Sequence, residues 1–413
     1  MKSSFLFTKT SKTAPAGESA KNAKLLIRAG YIHKELAGVY DFLPLGYRTL
    51  KNIEQIIREE LNAIGGQEIS MTALQNAELW KSTGRWSDDA MDIWFKTPLN
   101  AGGEIGLAPT HEEPLTNLMR RFISSYKDLP KFVYQFQTKF RNELRAKSGI
   151  MRTREFLMKD LYSFSTDEAE LDKYYLEVEK AYRRIYGRLG IGDCTFKCFA
   201  SGGAFSKYSH EFQTFLDVGE DTVYHNADCS IVLNEEVNNP AVLADLGVKA
   251  SDLTATRAAE VGNIFKLKYK FSKPLDLKYN RQDGKAEYVC MGSYGIGVSR
   301  VMGVIAEKLS DEKGLVWPEA VAPYRYYLVA IGDKATEICA KLHDQNPETI
   351  LWDDREDVRV GEKFADAELL GIPYRITISD KTLESDSVEF VERQNGSLKM
   401  LTLDAISRIL DKN

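Results

Sequence analysis

Phe132-Val-Tyr-Gln-Phe-Gln-Thr-Lys-Phe-Arg-Asn-Glu143 alternates strictly, and Met151-Arg-Thr-Arg-Glu-Phe-Leu-Met-Lys-Asp160 follows it after a short loop. With the period of two of an extended chain, Phe132, Tyr134, Phe136, Thr138 and Phe140 share one face. Val133, Gln135, Gln137, Lys139 and Arg141 share the other. Residues 144–150, with Gly149, reverse the chain into a second strand carrying Arg152, Arg154, Phe156, Met158 and Asp160 on one face. The pair sets several arginines on one polar sheet face, and such a face is either solvated or lines a site. Ser165 and Glu168 then read as the capping box of a long helix that ends at Gly190.

Upstream, residues 20–30 and 47–64 read as helices. In the second, Leu50, Ile53, Ile57, Leu61 and Ile64 recur at helical spacing until Gly65-Gly66 stops them. A strand is expected at 68–74. Downstream, residues 192–298 read as several short strands with a helical patch near 240–260, and a helix covers 299–309. Residues 319–323, within Trp317-Pro-Glu-Ala-Val-Ala-Pro323, form a linker. Strands at 324–331, 349–352 and 374–379 then alternate with helices at 334–344 and 360–370, the pattern of a small α/β domain. The whole is α+β: an antiparallel sheet flanked by helices in residues 1–318, followed by the small domain in residues 324–413.

The chain has 413 residues, 43% hydrophobic and 28% charged, enough to bury two or three cores. No run approaches the roughly 18 apolar residues of a membrane span, so no membrane partner is expected. Cys194, Cys198, Cys229, Cys290 and Cys339 form no CxxC pair. This pattern predicts reduced thiols in the cytoplasm and excludes a disulfide scaffold or a structural zinc. A net charge of -5 excludes indiscriminate adhesion to nucleic acid, and residues 324–413 are acidic in balance. Residues 1–17 hold Lys2, Lys9 and Lys12, with no acid and no Arg. They read as an extended arm rather than a transit peptide.

Two constellations carry chemistry. An arginine fork donates two parallel charge-assisted hydrogen bonds to a phosphate, and Arg141 and Arg152, a hairpin apart, could hold two phosphates of one nucleotide. Phe156 offers a ring for a purine to stack on. The plainer reading is a surface hairpin laced with Arg-Glu pairs. The second constellation is Gly292-Ser-Tyr-Gly-Ile-Gly-Val-Ser-Arg300, which is neither the dinucleotide GxGxxG nor a Walker loop. Its glycines allow close approach of backbone to a ligand and place Arg300 in a first helical turn, although a tight strand-to-helix turn explains them as well.

With residues 47–74, these words resemble motifs 1, 2 (132–164) and 3 (290–308) of the class II aminoacyl-tRNA synthetases. Neighbouring words are narrower. Arg28-Ala-Gly-Tyr-Ile32, Leu43-Pro-Leu-Gly-Tyr-Arg48, Glu78-Leu-Trp-Lys-Ser-Thr-Gly-Arg85, Pro109-Thr-His-Glu-Glu113, Ser209-His-Glu-Phe212, Asp353-Asp-Arg355 and Gly361-Glu-Lys-Phe-Ala-Asp366 resemble the bacterial type of prolyl-tRNA synthetase along nearly the whole chain.

The resemblance implies a class II catalytic domain followed by an anticodon-binding domain. It implies ligation of L-proline to tRNA(Pro) through prolyl-adenylate, with ATP entering as its Mg2+ complex, in a cytoplasmic homodimer. It assigns Arg141 to the ATP α-phosphate and the proline carboxylate, Glu143 to the adenine side, Arg152 and Arg300 to the distal phosphates, and Phe156 to adenine stacking. Thr110 and Glu112 would receive the proline ring nitrogen, and His210 would line the proline pocket. His111, between two ligands, is either a further site residue or structural. A basic face around Arg355, Arg359 and Lys363 would contact tRNA or carry ordinary solvated charge. The rival function is a catalytically silent paralogue that binds tRNA or regulates.

The chain departs from the family pattern in several ways. Only about forty residues separate Asp221 from Val261, where many bacterial relatives insert an editing domain. Thr72 stands where motif 1 usually has the proline that shapes the dimer interface. The link from Gly203 to Ser209 is longer than usual, and no cysteine-rich zinc module follows the anticodon domain.

Overall fold

The computed structural model describes residues 1–201 and 208–411. Contacts gather the chain into two compact units, one of Leu36–Val39 and Glu54–Val304 and the other of Met1–Glu35, Tyr40–Ile53 and Ile305–Asn413.

The first unit is built on a large sheet. Its described strands lie in the order Tyr208–Phe215, Thr195–Ser201, Val232–Asn234, Asp221–His225, Thr254–Lys268, Cys290–Gly297, Glu155–Ser165, Lys131–Phe140 and Gln67–Glu68, with Tyr208–Phe215 also pairing Thr254–Lys268. The expected antiparallel pair forms, in a register that sets Gln135 opposite Asp160, Gln137 opposite Met158 and Lys139 opposite Phe156. Met158 and Asp160 in turn oppose Gly297 and Gly295. Partners across a ladder share a face, so the polar residues of three strands line one side of the sheet.

The helix Glu168–Arg188 covers the other side. Leu171, Tyr174, Tyr175, Val178, Ala181, Tyr182, Ile185 and Tyr186 are its buried residues, and the Tyr174 ring stacks on Phe132. Its cap is not the expected Ser165, because Ser165 still pairs with Cys290 in the sheet. The chain turns two residues later, where the Asp167 side chain accepts from the Glu170 amide at 2.8 Å and Glu170 reaches back to the Thr166 amide at 2.7 Å. On the cleft side, one end of the sheet is closed by the helix Glu112–Met119. Its Leu115 and Met119 join Val133, Tyr162, Phe164 and Met291 in a core cluster.

Two other expectations change. Instead of a continuous strand at 68–74 there are Gln67–Glu68 and Leu74–Asn76. Between them the Met71 amide and carbonyl bond to the Gln135 and Gln137 side chains, which replace a backbone ladder. The helical patch shrinks to Pro240–Leu246, which is capped by Asn239 and ended by Gly247 at φ 69°, and Thr254–Lys268 is one long strand.

In the second unit, Ile350–Asp353, Tyr326–Ile331 and Tyr374–Ser379 are parallel neighbours, and Val388–Glu392 and Leu398–Leu401 extend the sheet antiparallel. The helices Asp333–Gln345, Val360–Leu370 and Leu403–Asp411 complete it. The N-terminal arm is pinned here: Ser4 donates through its amide and hydroxyl to Asp354 at 2.9 and 2.6 Å, and Thr10 donates to Asp366 at 2.6 Å.

The basic face expected around Arg355, Arg359 and Lys363 is corrected by the same contacts. Arg355 is bound to Asp353 and Asp366, and buried Lys363 donates to the Asp353 carbonyl at 3.2 Å. Of the three, Arg359 is the exposed one.

Arg393 grips Asp311 through two nitrogens at 2.7 Å each and holds that carboxyl down to about 2 from 3.8. Because the folded value lies below the unfolded one, the pair stabilises the fold above about pH 4 and ceases to as pH falls through about 2. Urea unfolding should show a stability gap between wild type and Asp311→Asn at pH 7 that narrows by pH 3. An equal gap at both would contradict it.

Candidate active site

Arg141, Arg152, Phe156 and Arg300, four residues singled out for a nucleotide, line one cleft together with Glu143 and Glu260. Each reaches it by a different route. The strand Lys131–Phe140 ends where the Arg141 amide bonds to the Arg154 carbonyl at 2.8 Å, leaving the Arg141 side chain over the Phe156 ring, 5.2 Å from its centroid. Arg300 lies in the first turn of Val298–Leu309 and is pinned by the Met151 carbonyl at 2.7 Å and the Glu260 carbonyl at 2.8 Å. Arg152 is held between Glu143 at 2.8 Å and Glu220 at 3.1 Å.

Half-buried Arg141 has its pKa lowered by desolvation and then by the neighbouring Arg300 guanidinium. Two guanidinium groups brought together beside an aromatic ring make a place suited to an anion.

The floor is flat because Gly295 lacks a side chain. A Cβ there would stand 2.5 Å from Met158 Cε and 2.8 Å from Asn263 Oδ1. A bulge in Thr254–Lys268 sets Phe212 opposite Gly262 but Gln213 opposite Glu260. The extra residue brings Glu260 and Asn263 to the same side, bonded to each other at 3.0 Å. Glu211 also turns this way. Burial, and then Glu260, push its carboxyl up to about 8.

Beside the cleft, Ala108 accepts from the Phe140 amide at 2.9 Å and Pro109 from Arg141 Nε at 3.4 Å, so the Pro109–Glu113 segment runs along the end of the arginine strand. The Thr110 hydroxyl donates to Glu112 at 2.7 Å, and the Tyr162 and Ser293 hydroxyls approach its other oxygen at 3.4 and 3.5 Å. Arg85 serves Glu113 at 2.9 and 3.0 Å and reaches Glu112 only at 3.5 Å. A carboxylate held mainly by hydroxyls is suited to receiving a cationic amine. Burial pushes Glu113 up to about 7.

His111 points away from this niche into the protein. Its Nε2 lies 3.1 Å from the Thr72 carbonyl and its Nδ1 2.5 Å from Lys139 Nζ. Burial, then Lys139, lower its pKa to about 4, so it is neutral, donating from Nε2 and accepting at Nδ1.

His210 is corrected in position. It pairs with Ile264 while Glu211 pairs with Asn263, so alternation turns the His210 ring to the helix side, where Nδ1 meets the Tyr175 hydroxyl at 2.6 Å. Burial lowers its pKa to about 4 as well. Glu211, opposite Asn263, is the member of Ser-His-Glu-Phe on the cleft side of the sheet, a choice the alternation of that word could have supplied. Arg154 likewise leaves the site and binds the Ala37 and Glu143 carbonyls. In the long link, Gly203 to Lys207 lie outside the described residues; Tyr208 and Ser209 begin the next strand.

The profile described as tRNA synthetase class II core domain (G, H, P, S and T) matches residues 94–309, and the one described as anticodon binding domain matches 322–413. Curated relatives named proline–tRNA ligase are similar along the full length. The protein of Ehrlichia chaffeensis is 38% identical with all of both chains covered, and that of the Wolbachia of Drosophila simulans is 37% identical with 98% of each covered. A prolyl-tRNA synthetase of Cryptosporidium parvum, solved with L-proline and AMP, superposes with a TM-score of 0.76 at 18% identity, covering 95% of this chain and 74% of that one, a likeness of fold. Its length, its two matched domains and its sequence thus agree, and the chain belongs to the proline–tRNA ligases among the class II aminoacyl-tRNA synthetases.

Proposed function

We propose that the chain ligates L-proline to tRNA(Pro) in two steps. The observation that carries this reading is the meeting of Arg141, Phe156 and Arg300 in one cleft with the Thr110-Glu112 niche beside it. In the first step a proline carboxylate oxygen attacks the α-phosphorus of ATP, and the bond to the β-phosphate breaks, giving prolyl-adenylate and pyrophosphate. In the second a hydroxyl of the terminal tRNA ribose attacks the prolyl carbonyl and AMP leaves. The carboxylate is already ionised at neutral pH, so positioning and charge neutralisation supply the catalysis.

Arg141 bridges the α-phosphate and the proline carboxylate. Phe156 backs the adenine, Glu143 serves its edge, and Arg152 and Arg300 take the distal phosphates. Arg152 must exchange part of its grip on Glu143 or Glu220 to do so. Mg2+ arrives with ATP, and Glu260 and Asn263 are the hard oxygen donors the bulge offers beside Arg300.

Residues 1–318 form the catalytic domain, 319–323 the linker and 324–413 the anticodon domain, with Arg359 the remaining exposed cation of the expected face. A cytoplasmic homodimer follows from the motif 1 resemblance and the reduced-thiol composition.

Proline-dependent ATP–pyrophosphate exchange, run beside alanine and cysteine, tests the reading. Exchange with proline is expected to exceed that with alanine or cysteine, and no exchange with any of the three would favour the silent paralogue. Between Asp221–His225 and Thr254–Lys268 the chain forms Val232–Asn234, the short turns Glu235–Val237 and Ala250–Asp252, and the helix Pro240–Leu246. A proline-shaped cavity rejects alanine by roughly 1–3 kcal/mol per methylene, so mischarging is expected without clearance in cis. The purified protein should leave alanyl-tRNA(Pro) intact, and its hydrolysis by this chain would overturn that expectation.

A further inference from the structure

Behind the amine niche lies a buried charge system that the two-step reaction does not use. Lys139 is fully buried, its Nζ 2.8 Å from Asp160 Oδ1 and 2.5 Å from His111 Nδ1. The other Asp160 oxygen accepts from Gln135 at 3.0 Å and from the Tyr162 hydroxyl at 3.2 Å. That phenol also approaches Glu112 at 3.4 Å. Asp160 and Glu112 therefore stand on either side of one hydroxyl, which has a single proton to give.

The cations are allotted. Arg85 makes its short contacts to Glu113 and reaches Glu112 only at 3.5 Å, Lys139 pairs with Asp160, and the Thr110 hydroxyl makes the shortest contact to Glu112. A buried ammonium needs both a counter-charge and acceptors for its remaining protons, and Lys139 has Asp160 for the first and the neutral His111 for the second. His111 is fixed in the accepting tautomer by donating to the Thr72 carbonyl.

We propose that Lys139 is a positioning residue for the amino-acid substrate: held by His111, it cancels the Asp160 carboxylate so that the substrate's cationic amine is directed to Glu112. This rests on the reading of Glu112 as the amine receptor. Without Lys139, Asp160 competes for the Tyr162 proton and for the amine, and Glu112 loses its orientation. The ATP cleft, whose anion-binding groups are the arginines, is left as it was.

The test is a double-mutant cycle of Lys139→Met and Asp160→Asn, read as KM for proline and KM for ATP in pyrophosphate exchange, with Glu112→Gln in parallel. Lys139→Met is expected to raise the proline KM by about tenfold or more with the ATP KM within about twofold, since leaving one member of a buried ion pair alone is the costly change. The double variant, which removes both charges, should recover most of that loss. Should Lys139→Met fail to fold, the same cycle is read from Asp160→Asn: it leaves a lone buried ammonium, raises the proline KM, and should be relieved by adding Lys139→Met.

A double variant no better than either single one, or a Lys139→Met effect shared equally by proline and ATP, would overturn the proposal in favour of a purely structural lysine. If Glu112→Gln leaves the proline KM unchanged, the reading of the niche fails, whatever the cycle shows.

Discussion

Arg141→Ala should lower proline-dependent pyrophosphate exchange by roughly a hundredfold or more, the effect of removing one preorganised donor, about 3 kcal/mol, from developing charge. The guanidinium is held in advance, over Phe156 and against the Pro109 carbonyl, so little of its binding energy is spent on ordering it. Burial, and then its proximity to Arg300, depress its pKa, so the free enzyme carries a strain that a polyphosphate relieves. Alanine removes that strain, so the thermal midpoint should hold or rise while activity collapses. Exchange kinetics and a thermal melt on one preparation separate the two. A loss below tenfold would sink the assignment, and a falling midpoint would show Arg141 to be a structural residue.

Trp80→Ala should cost about 3–5 kcal/mol of stability, the range for deleting a buried aromatic ring. Trp80 is fully buried, meets Trp94 edge-on at 4.7 Å between ring centroids, and donates its indole proton to Gln75 at 3.1 Å. Arg85 lies 5.1 Å from its ring centroid and in turn grips Glu113. The cavity would therefore loosen the wall behind the amine niche, and the proline KM should rise with the loss of stability. Urea unfolding measures the first effect and exchange kinetics the second. Trp80→Phe should retain more of both. A change under 1 kcal/mol for alanine would mean that the cluster of Trp80 with Trp86 and Trp94 repacks freely.

The central strand pair was legible because its alternation is local. Each side chain's face follows from backbone geometry alone, and the ladder opposing Lys139 to Phe156 bears it out. The strand and helix of the glycine-rich word could be read for the same reason, as could the parallel strand Tyr374–Ser379 and the helix Val360–Leu370, whose bounds match expectation. Failures came where another part of the chain supplies the hydrogen bonds. Residues 69–73 were expected to continue a strand, yet side chains of Gln135 and Gln137 satisfy Met71. The cap moved from Ser165 to Asp167 because a distant strand holds Ser165.

Sequence by itself determined the fold class, the family and the set of arginines, since these rest on periodicity and on words that survive as words. Tertiary structure decided which charges are available. Lys139, read as one of a polar stripe, is sealed against Asp160; Arg355 and Lys363, read as a face for tRNA, are used up within their own domain. One bulge turns Glu260 toward Asn263, and the register of Tyr208–Phe215 sends His210 under a helix and sets Glu211 opposite Asn263 on the cleft side of the sheet. A residue's type fixes the charge it carries, but its partners across the chain fix whether that charge is left for a ligand, and those partners are far apart in sequence.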